Sequence, residues 1–234
     1  MRIEGLSTPE EIATAARSHL YQLLVHGFSY PDRSFFAALA SGAFRREAEE
    51  PWRALPFDAG PLPEELTAGG DYVEFQALYL RLFEVGAGSP PCPLYGGLYQ
   101  GGRKAIMEEL ARFYNYFGLS IEKGAGELPD HLATELEFMH FLAFKELWAL
   151  HQGQDPSPYR RAQVDFLDRQ LLSWLPQLQL RLRRQETPPF YLALVAAAAA
   201  FVADDAAYLR AALKDDDGRL AVQSVTSRAA GGAP

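Results

Sequence analysis

Prolines and glycines divide this chain into segments in which apolar residues return every three or four positions, and a chain patterned in that way buries its apolar side by packing helices together. Thr8-Pro9-Glu10-Glu11 opens the first segment: Thr8 is placed to cap, Pro9 suits the first helical position, and Glu11 stands three residues after the cap. Ile12, Ala16, Leu20, Leu23, Leu24 and Phe28 follow at helical spacing until Gly27 and Pro31 end the run. Shorter helices are predicted over 35–39 and 44–52. Asp71 with Glu74 repeats the cap spacing and begins a helix to Glu84, whose Tyr72, Phe75, Leu78, Tyr79, Leu82 and Phe83 form a broad aromatic face. The period resumes over 103–117 and stops at Gly118. Asp130 starts the most regular helix, carried by Leu132, Leu136, Met139, Leu142, Ala143, Leu147 and Leu150 to Gly153. Pro158 opens another, Pro176 predicts a break or restart near Ser173, and Pro188-Pro189 introduce a last long helix ending near Leu213.

Seven of the 16 prolines and nine of the 19 glycines fall within 51–102, so that region is mostly irregular around its one helix, with loops at about 51–70 and 86–102. The prolines of 86–97 exclude a helix or a central strand there. No pair of alternating segments is joined by a hairpin turn, and no repeat of fixed period is present. The fold class is therefore all-α: a single-domain helical bundle over 1–213. Residues 214–234, small and polar after Asp215-Asp216-Asp217-Gly218, read as a flexible tail in which Leu220, Val222 and Val225 leave a weak strand option.

With 30 acidic against 22 basic side chains the net charge is −8, which disfavours attraction to nucleic acid or to an anionic membrane surface. One cysteine, Cys92, makes neither an internal disulfide nor a cysteine-rich metal site and suits a reducing compartment. The first residues lack a signal-peptide apolar stretch, and the longest apolar run, 190–203, is shorter than the roughly 20 residues of a spanning helix. The expectation is a cytoplasmic protein with a buried last helix and no stable membrane insertion.

The chemistry-bearing string is Pro129-Asp130-His131-Leu132-Ala133-Thr134-Glu135-Leu136-Glu137-Phe138-Met139-His140. Glu137 and His140 have the i, i+3 spacing of di-iron bundles, but no second copy exists. His131 and Glu135 lie one turn apart, yet no His-Glu-x-x-His is present. A helical-bundle metal enzyme using His131, Glu135, Glu137 and His140 stands as the alternative function. The plain reading makes Asp130 the cap of its helix, lets His131 solvate the helix end, and puts Glu135 and Glu137 on exposed faces. Cys92 lies between prolines without a base, no nucleophile elbow or phosphate-cradling glycine motif occurs, and no motif for a bound cofactor is found. Arg181-Leu182-Arg183-Arg184 reads as a solvated helix face. What remains is a helical protein with unusual aromatic density at 71–84 and in the loop behind it, the composition of a binding surface.

Three strings make the chain familiar: Tyr72-Val-Glu-Phe-Gln-Ala-Leu-Tyr-Leu-Arg-Leu-Phe83, Pro90-Pro-Cys-Pro-Leu-Tyr95-Gly-Gly-Leu-Tyr99 and Leu128-Pro-Asp-His-Leu-Ala-Thr-Glu-Leu-Glu-Phe-Met139. In order and spacing they resemble the TorD/DmsD/NarJ family of molybdoenzyme assembly chaperones, and Trp174-Leu175-Pro176 and the apolar last helix look like it too. The resemblance implies an all-helical fold, no catalysis by the chain itself, and a client. That client is the catalytic subunit of a molybdopterin oxidoreductase, held for cofactor insertion and in many members recognised by its twin-arginine signal peptide. By the same resemblance Asp130 and His131 match positions implicated in leader binding, and Phe83, Pro93, Tyr95 and Tyr99 match aromatic and proline positions of the loop. The Gly-Gly after Tyr95 and the acidic tail depart from some members. A leader with two guanidinium groups before an apolar stretch needs carboxylates beside an apolar groove. The expectation is that Asp130, helped by Glu135 or Glu137, faces the arginines while Tyr72, Phe75, Tyr79 and Phe83 line the groove. Long helices on proline-glycine hinges are compatible with a monomer or a domain-swapped homodimer.

Overall fold

The computed structural model describes residues 5–86, 88–120 and 128–230, with side chains of the last helix to Asp216. Among the described residues there is no strand, only an isolated antiparallel bridge between Tyr95 and His131. The architecture is all-α.

Helix α1 (Pro9–Phe28) begins with the capping box that its sequence spells. The Glu11 backbone N–H donates to Thr8 Oγ1 at 3.1 Å, and the Thr8 N–H donates to Glu11 Oε2 at 2.9 Å. Those backbone bonds from Ser7 and Thr8, with His151, bring the Glu11 carboxyl down to about 2. His151 is the last residue of α7 (Leu132–His151), and its Nδ1 lies 2.9 Å from Glu11 Oε1. Ser18 and His140 meet at 2.9 Å farther along, so α1 and α7 run antiparallel. Helices α2 (Arg33–Ala40), α3 (Ala43–Arg53) and α4 (Tyr72–Tyr79) follow, the first and third capped by Asp32 and Asp71 as local sequence dictates. A π-turn (Leu80–Glu84) ends α4. After α5 (Gly97–Gln100) and α6 (Arg103–Tyr116) come α7, α8 (Ser157–Arg169), α9 (Leu171–Leu182) and α10 (Pro189–Ala230).

The center of the bundle is not purely apolar. Arg17 of α1, without solvent exposure, bonds Asp205 of α10, Glu146 of α7 at 2.8 Å and Gln163 of α8 at 2.6 Å. Tyr21 donates to the same Asp205 at 2.7 Å. Arg160 of α8 donates to the other oxygen of Glu146 at 2.8 Å, to Asp216 at 2.8 Å and to Glu10. Burial pushes the Glu146 carboxyl up, but the guanidinium groups of Arg17 and Arg160 outweigh it and hold the group ionised, below the usual range. Leu24, Leu142, Phe166, Leu194, Phe201 and Val202 are buried in the apolar core of the same bundle.

Two helix boundaries differ from their sequence expectation. The break before α9 falls at Gln170, where φ is −111° and ψ −89°, and Pro176 rides inside α9. Pro176 is on the exposed side, where water rather than a helix N–H can serve the carbonyl one turn back. Helix α10 does not end near Leu213 but runs on to Ala230, so the strand option at 220–225 is not taken. Asp216, gripped by Arg160, carries it past the expected stop. By length and composition Pro189–Asp216 also reaches what a spanning helix requires, contrary to the shorter run counted from sequence. In this fold Tyr191, Val195, Ala198 and Phe201 are buried in the core, and Asp205 pairs with Arg17.

Replacing Arg17 by Met removes one side of a buried charge network and leaves Glu146 and Asp205 buried without its guanidinium, which costs about 3–5 kcal/mol. Urea unfolding followed by circular dichroism should show a large fall in midpoint for this variant and a much smaller one for Arg53→Met, an exposed pair within one helix.

Candidate functional site

The irregular segment behind the π-turn is tied down by three backbone bonds. The widened turn, closed by the Val85 N–H on the Leu80 carbonyl at 2.7 Å, leaves the Leu82 carbonyl to accept from the Cys92 N–H at 2.9 Å. The Leu132 N–H then donates to the Leu94 carbonyl at 2.7 Å, and the Gly96 N–H donates to the Asp130 carbonyl at 2.8 Å. These last two bonds lay residues 94–96 antiparallel against 130–132 at the start of α7. The approach admits no side chain at the next two positions. A Cβ on Gly96 would stand 2.7 Å from Trp174 Nε1, and one on Gly97 would stand 2.6 Å from Arg103 Cγ and 2.9 Å from Asp130 Oδ2.

Asp130 has no solvent exposure. Its carboxylate accepts from Arg103 Nε at 3.0 Å and from a terminal Arg103 nitrogen at 3.4 Å, and the same guanidinium lies 5.3 Å from the Tyr95 ring center. It does not cap α7. That role falls to His131, whose Nδ1 accepts from the Ala133 N–H at 3.2 Å, which places the ring proton on Nε2. His131 is buried against the Tyr95 ring, 5.0 Å between centers, and burial lowers its pKa to about 4 in spite of Asp130 nearby. Glu135 is also buried rather than exposed: Oε2 accepts from Trp174 Nε1 at 3.2 Å, while Oε1 has no partner among the described residues. Desolvation, against the Trp174 hydrogen bond, raises its pKa well above the usual carboxylate value and favours the protonated form. Trp174 stacks on Tyr99 at 5.2 Å, Arg181 covers that ring at 4.3 Å, and the Tyr99 hydroxyl donates to the Pro93 carbonyl at 2.9 Å.

Asp130, His131, Glu135, Pro93, Tyr95 and Tyr99 are thus brought together. The remaining candidates are not. Phe75, Tyr79 and Phe83 are core residues packed on Tyr191, and the Tyr79 hydroxyl donates to the Phe28 carbonyl at 2.9 Å. Tyr72 is half-buried beneath Arg33, 4.8 Å from its ring. An aromatic stripe of helical period on a short helix is the side that faces the core; the open cavity beside α4 takes Phe75 and Leu78 into its lining together with Asp71, Glu74 and Arg81, while Tyr72, Tyr79 and Phe83 are not part of it. Glu137 faces solvent, away from the cluster. His140 points its Nδ1 at Ser18, so the four side chains of the metal alternative do not converge, and no group of three or more metal-ligating side chains occurs among the described residues. Cys92 is buried, its thiol pushed up to about 11 by desolvation.

Sequence reasoning missed three members. Arg103 was a helix-start residue, Trp174 a part of a resemblance only, and Arg181 a solvated charge. The signal in α9 was its period: Trp174, Leu178 and Arg181 fall on one face.

A family model described as nitrate reductase delta subunit matches residues 46–180, which span the junction from Pro93 to Trp174. The chain is 36% identical over 196 residues to a perchlorate reductase assembly chaperone protein of Dechloromonas aromatica (strain RCB), covering 80% of this chain and 87% of that protein. It is 35% identical over 184 residues to a selenate reductase assembly chaperone protein of Thauera selenatis, covering 78% and 82%. A chaperone protein TorD of Vibrio parahaemolyticus serotype O3:K6 (strain RIMD 2210633) is 29% identical over 136 residues, covering 58% and 62%.

The raised pKa of Glu135 has a consequence for stability against pH. Its folded-state pKa lies above the unfolded value, so its contribution is complete below about pH 4.5 and is lost as pH rises toward the folded pKa. Glu135→Gln removes that loss. Relative to wild type, the variant should gain stability as the pH rises above about 4.5, the direction that a raised folded-state pKa requires. Urea midpoints measured across that range check this, and an offset independent of pH would show Glu135 to be ionised.

Proposed function

The chain belongs to the TorD/DmsD/NarJ family of molybdoenzyme assembly chaperones, and we propose that it holds the apo catalytic subunit of a molybdopterin oxidoreductase in the cytoplasm until its cofactor is inserted. The role is that of a binder, not a catalyst. Its relatives carry the names of reductase assembly chaperones, which supports a dedicated client of that class. The contact proposed is the client's twin-arginine leader, received at the junction of 94–99 with the start of α7.

One observation carries this reading: the backbone pairing of 94–96 with 130–132 holds a carboxylate, Asp130, beside the face of a half-exposed tyrosine, Tyr95. A planar guanidinium bonds a carboxylate through two N–H groups and stacks on an aromatic face, which an ammonium does less well. Leu98 and Leu128, both exposed, sit on the two segments that meet there and offer apolar surface for the stretch behind the arginines. His131, buried with its pKa lowered to about 4, adds no cationic charge of its own to the site at neutral pH. Glu135 and Trp174 position Tyr99 rather than touch the leader.

The test is fluorescence anisotropy with a labelled synthetic peptide bearing two adjacent arginines before a short apolar stretch. Wild type should bind, and Asp130→Asn should lose about tenfold or more in affinity, as should wild type toward a peptide with both arginines changed to glutamine. Equal affinity for both peptides would place the client contact elsewhere. In pull-downs from the native cytosol, wild type should bring down a molybdoenzyme catalytic subunit with its leader uncleaved, and Asp130→Asn should not.

A further inference from the structure

Arg103 stands where helix physics disfavours it. It is the first residue of α6, Lys104 follows it, no acidic side chain lies in that first turn, and the N-cap, Gly102, has no side chain to cap with. Two cations at the positive end of a helix dipole are mutually and locally unfavourable. What holds Arg103 is tertiary: two N–H groups on Asp130 and the face of Tyr95, 5.3 Å away. Gly97 lies so close to the Arg103 stem and to Asp130 that any side chain there would displace one of them. Asp130 has no exposure, whereas the Arg103 side chain is 37% exposed. The guanidinium therefore covers the carboxylate from the solvent side.

A second guanidinium cannot reach Asp130 while the first is in place. We propose that Arg103 is a resident stand-in for the client's arginine: it occupies the guanidinium subsite of Asp130 and Tyr95 in the free protein, and a leader arginine binds by exchanging with it. This rests on the leader-binding reading above and adds the residue that sets its threshold. Gly101 and Gly102 provide the hinge. Their φ values, +72° and +67°, lie in the left-handed region, and nothing stands within 4 Å of either Cβ position, so the chain before Arg103 turns there without a steric barrier. The apparent affinity for a leader equals the intrinsic affinity scaled by the fraction of molecules in which Asp130 is open. A leader with one well-placed guanidinium replaces the internal pair by an equivalent one. A peptide without guanidinium has nothing to exchange and leaves Arg103 where it is.

The experiment uses the full chain and the same anisotropy peptide, with wild type, Arg103→Lys, Arg103→Gln and Asp130→Asn compared in parallel after circular dichroism has confirmed their helicity. Lysine keeps the charge but loses the two-pronged bond and the stacking, and glutamine loses the charge as well. Affinity should rise in the order wild type, Arg103→Lys, Arg103→Gln, by about three- to tenfold over the series. The double variant Arg103→Gln/Asp130→Asn should lose that gain. If wild type binds, Asp130→Asn does not, and the Arg103 variants bind no more tightly than wild type, Arg103 is structural and the exchange is overturned while the leader site stands. If Asp130→Asn binds as well as wild type, the leader reading falls and the exchange with it. Should Arg103→Gln prove unfolded, Arg103→Lys decides: affinity at or below the wild-type value overturns the exchange.

Discussion

Arg17 at the center of the bundle is the contact on which the rest is built. A guanidinium without solvent survives only with its charge matched and its N–H groups engaged, and its three partners come from three other helices: Glu146 on α7, Gln163 on α8, Asp205 on α10. Apolar packing tolerates small slides between helices; a fixed fork of N–H groups does not. The network therefore sets the register of α1, α7, α8 and α10 against each other. The start of α7 and the Trp174 face of α9 inherit their positions from that register.

On this frame the junction is assembled by backbone rather than by side chains. Two hydrogen bonds between 94–96 and 130–132, with the bond from Cys92 to Leu82, are enough to bring a proline-glycine loop against a helix start. The side chains then sort themselves by solvation. His131 accepts the Ala133 N–H on its Nδ1 with its pKa lowered to about 4, burial raises the Glu135 carboxyl well above its usual value, and Asp130 pairs with Arg103. The three neighboring side chains thus settle in different ways, Asp130 against the guanidinium of Arg103.

Most helix positions were legible because capping boxes, proline starts and apolar period are local. Thr8 with Glu11 forms the capping box, Asp71 caps α4 through its side chain, and Gly118 takes the positive φ of a helix stop, as their spacing predicts. The errors arose where tertiary contacts overrule local preference. Asp130 has the best local claim to cap α7, yet Arg103, 27 residues away in sequence, takes its carboxylate and leaves the cap to histidine. Glu135 has the pattern of a surface residue and is buried because Gly96 permits Trp174 to close over it. Phe75, Tyr79 and Phe83 were legible as one face, but not which side of the protein that face would meet. The resemblance pointed to the loop and the helix start that the fold pairs through backbone bonds, while the burial of Phe75, Tyr79 and Phe83 follows from tertiary packing.

Cys92 gives this loop a built-in clock. Its N–H fastens the loop to Leu82, and its thiol is sealed in the core with a pKa of about 11, so in the closed form it is unreactive toward electrophiles at neutral pH. Each excursion that lifts the loop from the helix end exposes a thiol of ordinary acidity. Because the sequence holds no other cysteine, its alkylation rate counts those openings directly, without any label being introduced.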